Sequence, residues 1–310
     1  MASSRLCRED YAIGIICALF VEKAAVEAML DERHEAMDQK PEDTNSYTFG
    51  KIGKHNVVIA CLPSGNPGKA AAAIVAIHMI HSFPIRLGLM VGIGGGVPSQ
   101  IPDIRLGDVV VSFPVGTHGG VIEYDLGKME SDGFRRKGHL NKPPKALLRA
   151  VTSLQAKHKA NKPDFPGYLS AISKRPRMAK KYGFQGSEHD QLFDNNNQAV
   201  IRDPREDDSP QVFYGTIGSG DLVMKDGKAR DLRAADDKII CFEMEAAGLL
   251  NDFPCLVIRG ISDYADSHKN DRWQPYAAAT AAAYAKELLS AVSVQEVEKP
   301  SPASTIVTVN

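Results

Sequence analysis

The sequence has little of what marks a membrane, secreted or polyanion-binding protein. Its apolar runs are short: the run from Ile13 to Val21 has nine residues and the run from Leu87 to Val97 has eleven, whereas a membrane-spanning helix needs about 20. The first ten residues contain no apolar stretch of the kind that forms a signal peptide. The formal net charge of the 310 residues is −1, so overall charge does not draw the chain to DNA or to an anionic membrane. We therefore expect neither a membrane nor a nucleic acid as a partner.

Cysteine is also scarce. The chain has five cysteines, an odd number spread from residue 7 to residue 255, with no Cys-x-x-Cys pair and no Asn-x-Ser/Thr site. This argues against a disulfide-stapled secreted domain and favours a reducing compartment, which we expect to be the cytoplasm. No two histidines or cysteines have the spacing of metal ligands, and we predict neither a metal nor a cofactor.

What is present is an alternation of apolar runs and helical patterns. Hydrophobic residues make up 43% of the chain, enough for a sizeable core, and the alternation predicts an α/β protein with a central sheet. A polar stretch at about 161–210 is predicted to be a long insertion, and residues 1–9 and 294–310 to be a flexible N-terminus and a disordered tail. The clearest predicted strands are Tyr11–Cys17, Leu87–Ile93, Lys238–Phe242 and Cys255–Arg259, and the clearest predicted helices are Gly68–Ile80 and Tyr276–Val292.

Two glycine-rich stretches come close to nucleotide-phosphate loops without matching either pattern. Residues 92–96 fail the G-x-G-x-x-G pattern because position 97 is valine, and residues 65–69 lack the first glycine and the hydroxyl residue of a P-loop. Each is either a turn that needs positive φ or a backbone that approaches a ligand closely. Lys69 opens a predicted helix, whose free N–H groups could hold an anion together with the lysine. The glycines of the first stretch are Gly92, Gly94, Gly95 and Gly96.

Three carboxylates stand next to the ends of predicted strands. Glu22 begins the first predicted helix, just after the first strand, and Glu245 and Asp263 each closely follow a later strand. One such acid alone is more often a helix-start acid that the helix dipole favours. Because ligand sites of open α/β sheets gather at the carboxyl ends of the strands, three acids at three strand ends predict a shared site.

Four motifs connect these stretches: Gly14–Ala18 with Glu22, Val91–Gly96, Gly218–Asp221, and Phe242–Ala247 with Arg259–Asp263. In this order they resemble the purine and uridine phosphorylase superfamily over about residues 10–291, and the stretch 263–270 is typical of its fungal branch associated with NLR-type proteins. The resemblance implies one phosphorylase-type domain at 10–293, a three-layer sandwich with a central mixed sheet flanked by helices. It also implies a homo-oligomer, either a dimer or a trimer.

The resemblance implies a role for each residue of the predicted site. Asp263 matches the general acid that protonates the purine N7, and Glu22 matches the glutamate that positions or deprotonates the attacking water. Glu245 matches the acid that binds the ribose hydroxyls, and Met244 would pack on the sugar. These roles suit a bond whose cleavage leaves positive charge on the sugar and negative charge on the base. The implied base-binding residues are Val223, Met224 and Ser262, the last of which would orient the general acid.

The resemblance also bears on which nucleophile attacks the sugar. Bacterial trimer-type phosphorylases hold phosphate with an Arg and a Ser around the glycine run, and the matching positions here are Met90 and Ile93. Neither side chain can bind phosphate, and Glu22 would repel it, so we predict water as the nucleophile and a purine N-glycosidase as the enzyme. Two alternatives stay open: a phosphorylase that holds phosphate with Lys69 or Arg86, and a nucleotide-sensing module without turnover.

Although the net charge of the whole chain is close to zero, one segment is strongly basic. From Lys128 to Lys181 there are 15 Lys and Arg against 3 Asp and Glu. A nucleoside needs no such cluster, whereas the triphosphate of a nucleotide such as ATP is best met by Arg and Lys. A solvated surface is the second interpretation, and a nucleic-acid patch is a weaker third because aromatic residues are few there. The predicted phosphate contacts are Lys69, Arg135, Arg136 and Lys137.

Overall fold

The structure is a computed structural model that describes residues 6–131 and 133–307. Residues 1–5 of the predicted flexible N-terminus and the last three residues of the predicted tail therefore lie outside the described residues. The strands are β1 Ile13–Cys17, β2 Glu32–Arg33, β3 Tyr47–Ile52, β4 His55–Cys61, β5 Leu87–Gly96, β6 Val109–Ser112, β7 Val121–Glu123, β8 Gly127–Glu130, β9 Gly133–Arg136, β10 Leu192–Phe193, β11 Ala199–Val200, β12 Val212–Ser219, β13 Ile239–Glu243 and β14 Cys255–Asp263. The α-helices are α1 Phe20–Ala28, α2 Lys69–Ser82, α3 Lys145–Ala160, α4 Phe165–Tyr168, α5 Ser170–Ser173, α6 Pro176–Tyr182, α7 Gly227–Asp237, α8 Gln274–Ala291, α9 Val294–Glu298 and α10 Ala303–Val307.

In the described part of the chain, ten strands form one mixed sheet. Its order is β13-β12-β6-β14-β5-β1-β4-β3-β2, with β7 attached to β12. The central strands β4, β1, β5 and β14 run parallel, whereas β6 is antiparallel to β14 and β3 is antiparallel to β4. Parallel strands are buried on both faces, which is why they appear in the sequence as continuous apolar runs.

One end of the sheet folds over so that its edge strand β13 also pairs with the end of β5. β13 pairs in parallel with β12, and it pairs antiparallel with the end of β5 at Cys241–Gly96 and Phe242–Gly95. The carboxyl ends of β1, β5 and β14 lie at one edge because these strands are parallel. This curl brings the end of β13 to the same edge, so the segments that follow four strands meet there.

Helices cover both faces of the sheet. Alternate side chains of a strand point to opposite faces, and Ile15 of β1 accordingly packs in one core cluster with α1, α3 and α8, whereas Ile16 packs in another with α2. Helix, sheet and helix layers confirm the predicted α/β architecture with a central mixed sheet. Although α8 has 18 residues and is almost entirely buried, no helix within residues 6–131 and 133–307 is long and apolar enough to cross a membrane.

The contact between β14 and α8 leaves no space for a side chain at Gly260. A Cβ on this glycine would lie 1.8 Å from the carbonyl oxygen of Ala277, so a larger residue would have to push the helix off the sheet. We expect Gly260→Ala to lower the free energy of unfolding by roughly 3 kcal/mol, at the upper end for overpacked cores. Urea unfolding measures this change. Gly167→Ala is the matched control, because a Cβ there meets nothing within 4 Å, and equal stability of the two variants would contradict the expectation.

The predicted insertion at 161–210 contributes three apolar side chains to the core. Phe165, Ile172 and Tyr182 are buried in the cluster that contains α8. Glu287 of α8 accepts a hydrogen bond from the N–H of Phe165 at 3.1 Å. These three apolar residues follow no helical or strand period in a polar stretch, so the pattern did not reveal that they pack.

The predicted disordered tail also differs from the structure over its described residues. α9 and α10 are helical there, Val297 and Ala303 are buried, and the N–H of Ala303 donates to the carbonyl of Ile85 at 2.7 Å. Arg86 donates to the carbonyl oxygen of Glu298 at 2.9 Å. The segment is ordered by contacts with distant residues, which its own polar composition does not indicate.

Candidate active site

The carboxyl ends of β1, β5, β13 and β14 surround a cavity of about 240 Å³. It is not the largest cavity in the described residues, since one of about 480 Å³ opens beside Phe20. It is, however, the cavity that brings together the acids predicted from the sequence. The predicted site residues that line it are Glu22, Gly94, Gly95, Val223, Met224, Met244, Glu245, Ser262 and Asp263.

Glu22 is fixed at the start of α1 by three backbone amides. Its Oε2 accepts hydrogen bonds from the N–H groups of Ala18 at 2.7 Å and Leu19 at 2.8 Å, and its Oε1 accepts one from Ile93 at 2.8 Å. Burial raises the pKa of Glu22 above its ordinary value, and this outweighs Arg259 and the three amides, which lower it. A carboxylate with a raised pKa accepts a proton more readily at neutral pH, which suits activation of water.

A buried arginine, Arg259 of β14, lies among three glutamates. Its Nη2 donates to Glu243 and lies 3.4 Å from Glu245 Oε2, and its Nη1 lies 4.0 Å from Glu22 Oε1. The arginine therefore neutralises part of the charge that these acids bring into a buried site. Neither Arg259 nor Glu243 was assigned a role from the sequence, although an arginine inside an apolar strand is a signal that could have revealed both. No group of His, Cys, Asp or Glu among residues 6–131 and 133–307 is arranged to hold a metal ion.

Glu245 and Met244 lie directly after β13, on the cavity wall. Burial is the largest cause that raises the pKa of Glu245 to about 7, and Glu243 and Glu22 act in the same direction, whereas Arg259 lowers it. A carboxyl group that is partly protonated near neutral pH can both accept a hydrogen bond and donate one to a sugar hydroxyl. This position agrees with the predicted ribose contact, which stays a prediction.

Asp263 ends β14, and both of its carboxylate oxygens have partners. Ser262 Oγ donates to Oδ2 at 2.8 Å, and the N–H of Ala265 donates to Oδ1 at 2.9 Å. Ser262 therefore contacts Asp263 directly, and its role in orienting a general acid stays a prediction. The third partner is Lys269, whose Nζ lies 3.1 Å from Oδ2. The sequence did not indicate this lysine, because it lies in a loop where spacing does not fix the direction of a side chain.

The glycine run, for which a turn and a close approach to a ligand both stayed open, is the last part of strand β5. None of its four glycines has a positive φ, so neither they nor their neighbours form the turn that was considered. A Cβ on Gly92 would lie 2.3 Å from Arg259 Nη1 and 2.4 Å from Glu22 Oε1, and one on Gly95 would lie 2.8 Å from Asp263 Oδ1. The glycines leave room for the charged side chains of the site. Gly94 and Gly96 are similarly crowded, by Cys241 and Ile261.

The predicted base-binding residues Val223 and Met224 follow β12 and line the cavity. Val223 is 48% exposed, so its side chain contributes an apolar rim rather than a closed wall. Contact between the backbone here and a purine edge stays a prediction.

Residues 12–292 match the sequence profile of the Phosphorylase superfamily. The chain belongs to this superfamily. The matched range contains Glu22, Glu245 and Asp263, and it confirms the resemblance that the four motifs indicated.

Two relatives cover the chain but are much longer than it. A nucleotide-binding leucine-rich repeat (NLR)-like protein of Hyaloscypha variabilis is 47% identical over 302 residues, which are 94% of this chain and 30% of that protein. ATP nucleosidase Cap17 of Escherichia coli is 27% identical over 227 residues, which are 69% of this chain and 38% of that protein. Among solved structures, the S-adenosylhomocysteine nucleosidase of Streptococcus pyogenes in complex with 5-methylthiotubericidin is similar in fold, with a TM-score of 0.61 at 19% identity over 91% of this chain and 97% of that one.

The predicted phosphate contact Lys69 does not line the cavity of this phosphorylase-superfamily chain. Its Nζ lies 2.7 Å from Glu123, 2.8 Å from Asp125 and 3.5 Å from Asp221. Asp221 also accepts a hydrogen bond from the backbone N–H of Lys69 at 3.0 Å. The start of α2 does hold an anion, as its free N–H groups indicated, but that anion is a carboxylate of the same chain.

The other three predicted phosphate contacts lie on or beside the β8–β9 hairpin, also outside the cavity lining. Arg136 pairs with Asp237 at 2.9 Å, and Arg135 Nε lies 3.0 Å from Glu130. Lys137 directly follows β9 and is held through its backbone N–H by the carbonyl of Leu126. The charge of a segment can be counted in the sequence, but its location depends on which strands pair, and these two strands pair with each other.

Proposed function

We propose that the protein hydrolyses the N-glycosidic bond of a purine nucleoside or nucleotide and releases the free base. The observation that carries this proposal is that Glu22, Glu245 and Asp263, from three different segments of the chain, line one cavity of about 240 Å³. A carboxylate that can activate water and a second one that can act as an acid are the pair that glycoside hydrolysis uses. The nucleosidase names of the similar proteins support the same activity.

Each acid has a separate task in this proposal. Glu22 takes a proton from the water that attacks the sugar carbon, because its raised pKa makes it a proton acceptor near neutral pH. Asp263 passes a proton to the departing purine, and Ser262 keeps its carboxyl group in place. Glu245 binds the sugar hydroxyls and stabilises the positive charge that builds on the sugar in the transition state.

Water is favoured over phosphate because the phosphate-binding side chains considered from the sequence are engaged elsewhere. Lys69 is surrounded by three acids, and Arg86 donates to carbonyl oxygens of the C-terminal segment. Met90 lies under Arg259, whose Nη2 contacts its sulfur at 3.2 Å. Arg259 itself lies within 4.0 Å of three glutamates. Its positive charge is already balanced by these acids and would not attract an attacking phosphate.

The structure does not favour a nucleotide over a nucleoside as the substrate. Lys181 of the basic segment lies 5.8 Å from the ring centre of Phe20, but Phe20 lines the separate cavity of about 480 Å³. The substrate panel below therefore includes both a nucleotide and nucleosides. Assembly into a dimer or trimer and a cytoplasmic location stay predictions from the sequence.

The test is incubation with ATP, adenosine, inosine and methylthioadenosine, each with and without phosphate. Chromatography would follow the free base, the free sugar product and the sugar 1-phosphate. We expect at least one substrate to give free base and free sugar at the same rate whether or not phosphate is present. Asp263→Asn supplies the background, since the amide cannot pass on a proton.

Two other outcomes correspond to the alternatives from the sequence. A sugar 1-phosphate that forms only when phosphate is present would make the protein a phosphorylase. Tight binding of a purine compound without release of base over hours would make it a sensor module.

A further inference from the structure

The peptide group between Tyr264 and Ala265 connects Asp263 to an arginine that lies outside the cavity lining. Its N–H, which belongs to Ala265, donates to Asp263 Oδ1 at 2.9 Å. Its carbonyl oxygen, which belongs to Tyr264, accepts a hydrogen bond from Arg230 Nη1 at 2.8 Å. Because a peptide group is planar, a contact that holds the carbonyl in one direction also fixes the direction of the N–H.

This orientation of the peptide gives Ala265 a backbone conformation that a residue with a side chain rarely adopts. Its φ is +53°, in the left-handed region where the Cβ is crowded by the backbone. A half-turn of the peptide group would move φ into the allowed negative region and relieve the strain. It would also turn the N–H away from Asp263 and bring the carbonyl oxygen of Tyr264 towards the carboxylate. The observed orientation therefore has to be held by its surroundings.

Arg230 is placed to hold this peptide. It lies on α7 and is only 4% exposed, so water competes little for its hydrogen bond to Tyr264. A hydrogen bond from a charged donor is also stronger than one between neutral groups. Its Nε donates to Asp231 at 2.7 Å, which fixes the direction of the guanidinium group. Arg230 does not line the active-site cavity, and the mechanism above gives it no task.

The side chain of Tyr264 is held by the segment that was predicted to be an insertion. Its hydroxyl donates to Asp190 Oδ1 at 2.6 Å, and Arg202 Nη2 lies 2.8 Å from Asp190 Oδ2. The β10–β11 hairpin pairs Leu192 with Val200, and the same register continued by two residues places Asp190 opposite Arg202. The hairpin thus presents to the tyrosine an acid that an arginine already holds, which limits the movement of Tyr264.

We propose that Arg230 is a positioning residue for Asp263 and acts through the peptide group between Tyr264 and Ala265; this rests on the hydrolysis proposed above. Arg230 holds the carbonyl, the planar peptide directs the N–H, and the N–H holds the carboxylate in the cavity wall. The ion pair beside the β10–β11 hairpin supports this arrangement, because the peptide cannot turn over freely while the tyrosine side chain is held. Arg230 touches no reacting atom.

Removing the guanidinium group tests the inference by kinetics. We expect Arg230→Met to lower kcat by about 30-fold, less than the roughly 100-fold that a misplacement of about 1 Å can cost. KM should change by less than about threefold, because the groups that bind the substrate remain. Arg230→Lys should recover most of the lost kcat, since an ammonium group also donates to a carbonyl oxygen.

Arg233→Met is the matched control for this substitution. Arg233 lies on the same helix and also donates to a tyrosine carbonyl, that of Tyr124, at 3.2 Å. This carbonyl is not part of the loop that follows Asp263, so the control should keep its kcat. Thermal melting checks that each variant is folded.

A glycine at position 265 separates positioning from a general loss of stability. Glycine adopts positive φ about as readily as negative φ, so the peptide needs less support once Ala265 is replaced. We expect Arg230→Met to lower kcat by less than about fivefold when it is added to Ala265→Gly, which makes the two substitutions non-additive. An arginine that only stabilised the fold would cost the same factor with and without Ala265→Gly.

Amide hydrogen exchange gives a readout that does not depend on turnover. We expect the N–H of Ala265 to exchange at least about tenfold faster in Arg230→Met than in the wild type, because its hydrogen bond to Asp263 opens more often. Arg233→Met should leave this exchange rate unchanged. If Arg230→Met does not fold, Tyr264→Phe tests the same peptide by removing the hydroxyl contact to the hairpin, and we expect faster exchange at Ala265 there as well.

The outcomes distinguish this inference from the proposed function. The inference would be overturned by an unchanged kcat in folded Arg230→Met, by an equal loss with and without Ala265→Gly, or by an unchanged exchange rate at Ala265. A wild-type protein that releases no base from any substrate would instead overturn the proposed hydrolysis. The exchange rate of Ala265 would still decide whether Arg230 holds the peptide that contacts Asp263.

Discussion

Replacing Glu22 with Gln is expected to lower kcat by about 1,000-fold, in the middle of the range for loss of a general base. The amide keeps the size of the side chain but cannot take a proton from water. The change should affect the chemical step more than binding, because Glu22 faces the nucleophile rather than the purine. Steady-state kinetics on the best substrate of the panel would measure kcat and KM separately.

The same substitution is expected to reduce stability. Three N–H donors, from Ala18, Leu19 and Ile93, point at the two oxygens of Glu22. A glutamine must turn its NH₂ group towards at least one of them, which leaves a buried donor without an acceptor at a cost of about 1–3 kcal/mol. Glu27 lies on the same helix but does not line the cavity. The control variant Glu27→Gln should therefore keep its activity and most of its stability.

The pH dependence of the wild-type enzyme is a second check on the role of Glu22. Burial raises the pKa of Glu22 above its ordinary value of 4.5, so the carboxylate that accepts the proton is lost as pH falls through this raised value. We expect kcat/KM to decline on the acid side at a pH above 4.5. Full activity of Glu22→Gln, or an acid limb that stays unchanged in this variant, would remove Glu22 from the reaction.

The acids of the site could be predicted from the sequence because their positions follow from topology. Glu22, Glu245 and Asp263 each come after a strand, and the rule that parallel strands end at one edge is enough to bring such residues together. The curl that carries β13 to the end of β5 could not be predicted, because it depends on an antiparallel contact between Phe242 and Gly95, far apart in the sequence.

The residues that the sequence did not reveal are those whose role depends on another side chain. Arg259 matters because Glu22 of α1, Glu243 of β13 and Glu245 just after β13 surround it. Lys269 matters because its loop folds back onto Asp263. The glycine run is a second case in which packing decides the interpretation. Its composition indicates a need for space, but only the packed neighbours show that Glu22 and Arg259 fill the space beside Gly92, whereas Gly94 and Gly95 line the cavity.

Removing the charge of Arg259 is expected to have the largest effect on stability. Arg259→Met would leave Glu22, Glu243 and Glu245 in a buried site without their shared cation, and the loss of one partner of a buried ion pair costs about 3–5 kcal/mol. Glu243 would lose the most, since its carboxylate is bound directly by the arginine. We expect a large drop in the urea midpoint together with loss of turnover, because Glu22 would hold a proton more tightly and could no longer act as a base at neutral pH.

A second substitution tests whether the cause is uncompensated charge. Adding Glu243→Gln to Arg259→Met removes one of the stranded charges, so the double variant should regain part of the lost stability, and the two effects should be non-additive. Arg149→Met is the matched control, because Arg149 is 58% exposed and its ion pair with Glu296 lies at the surface, where such pairs contribute about 0–1 kcal/mol. Equal losses for Arg149→Met and Arg259→Met would show that the buried arginine does not hold the acids of the site together.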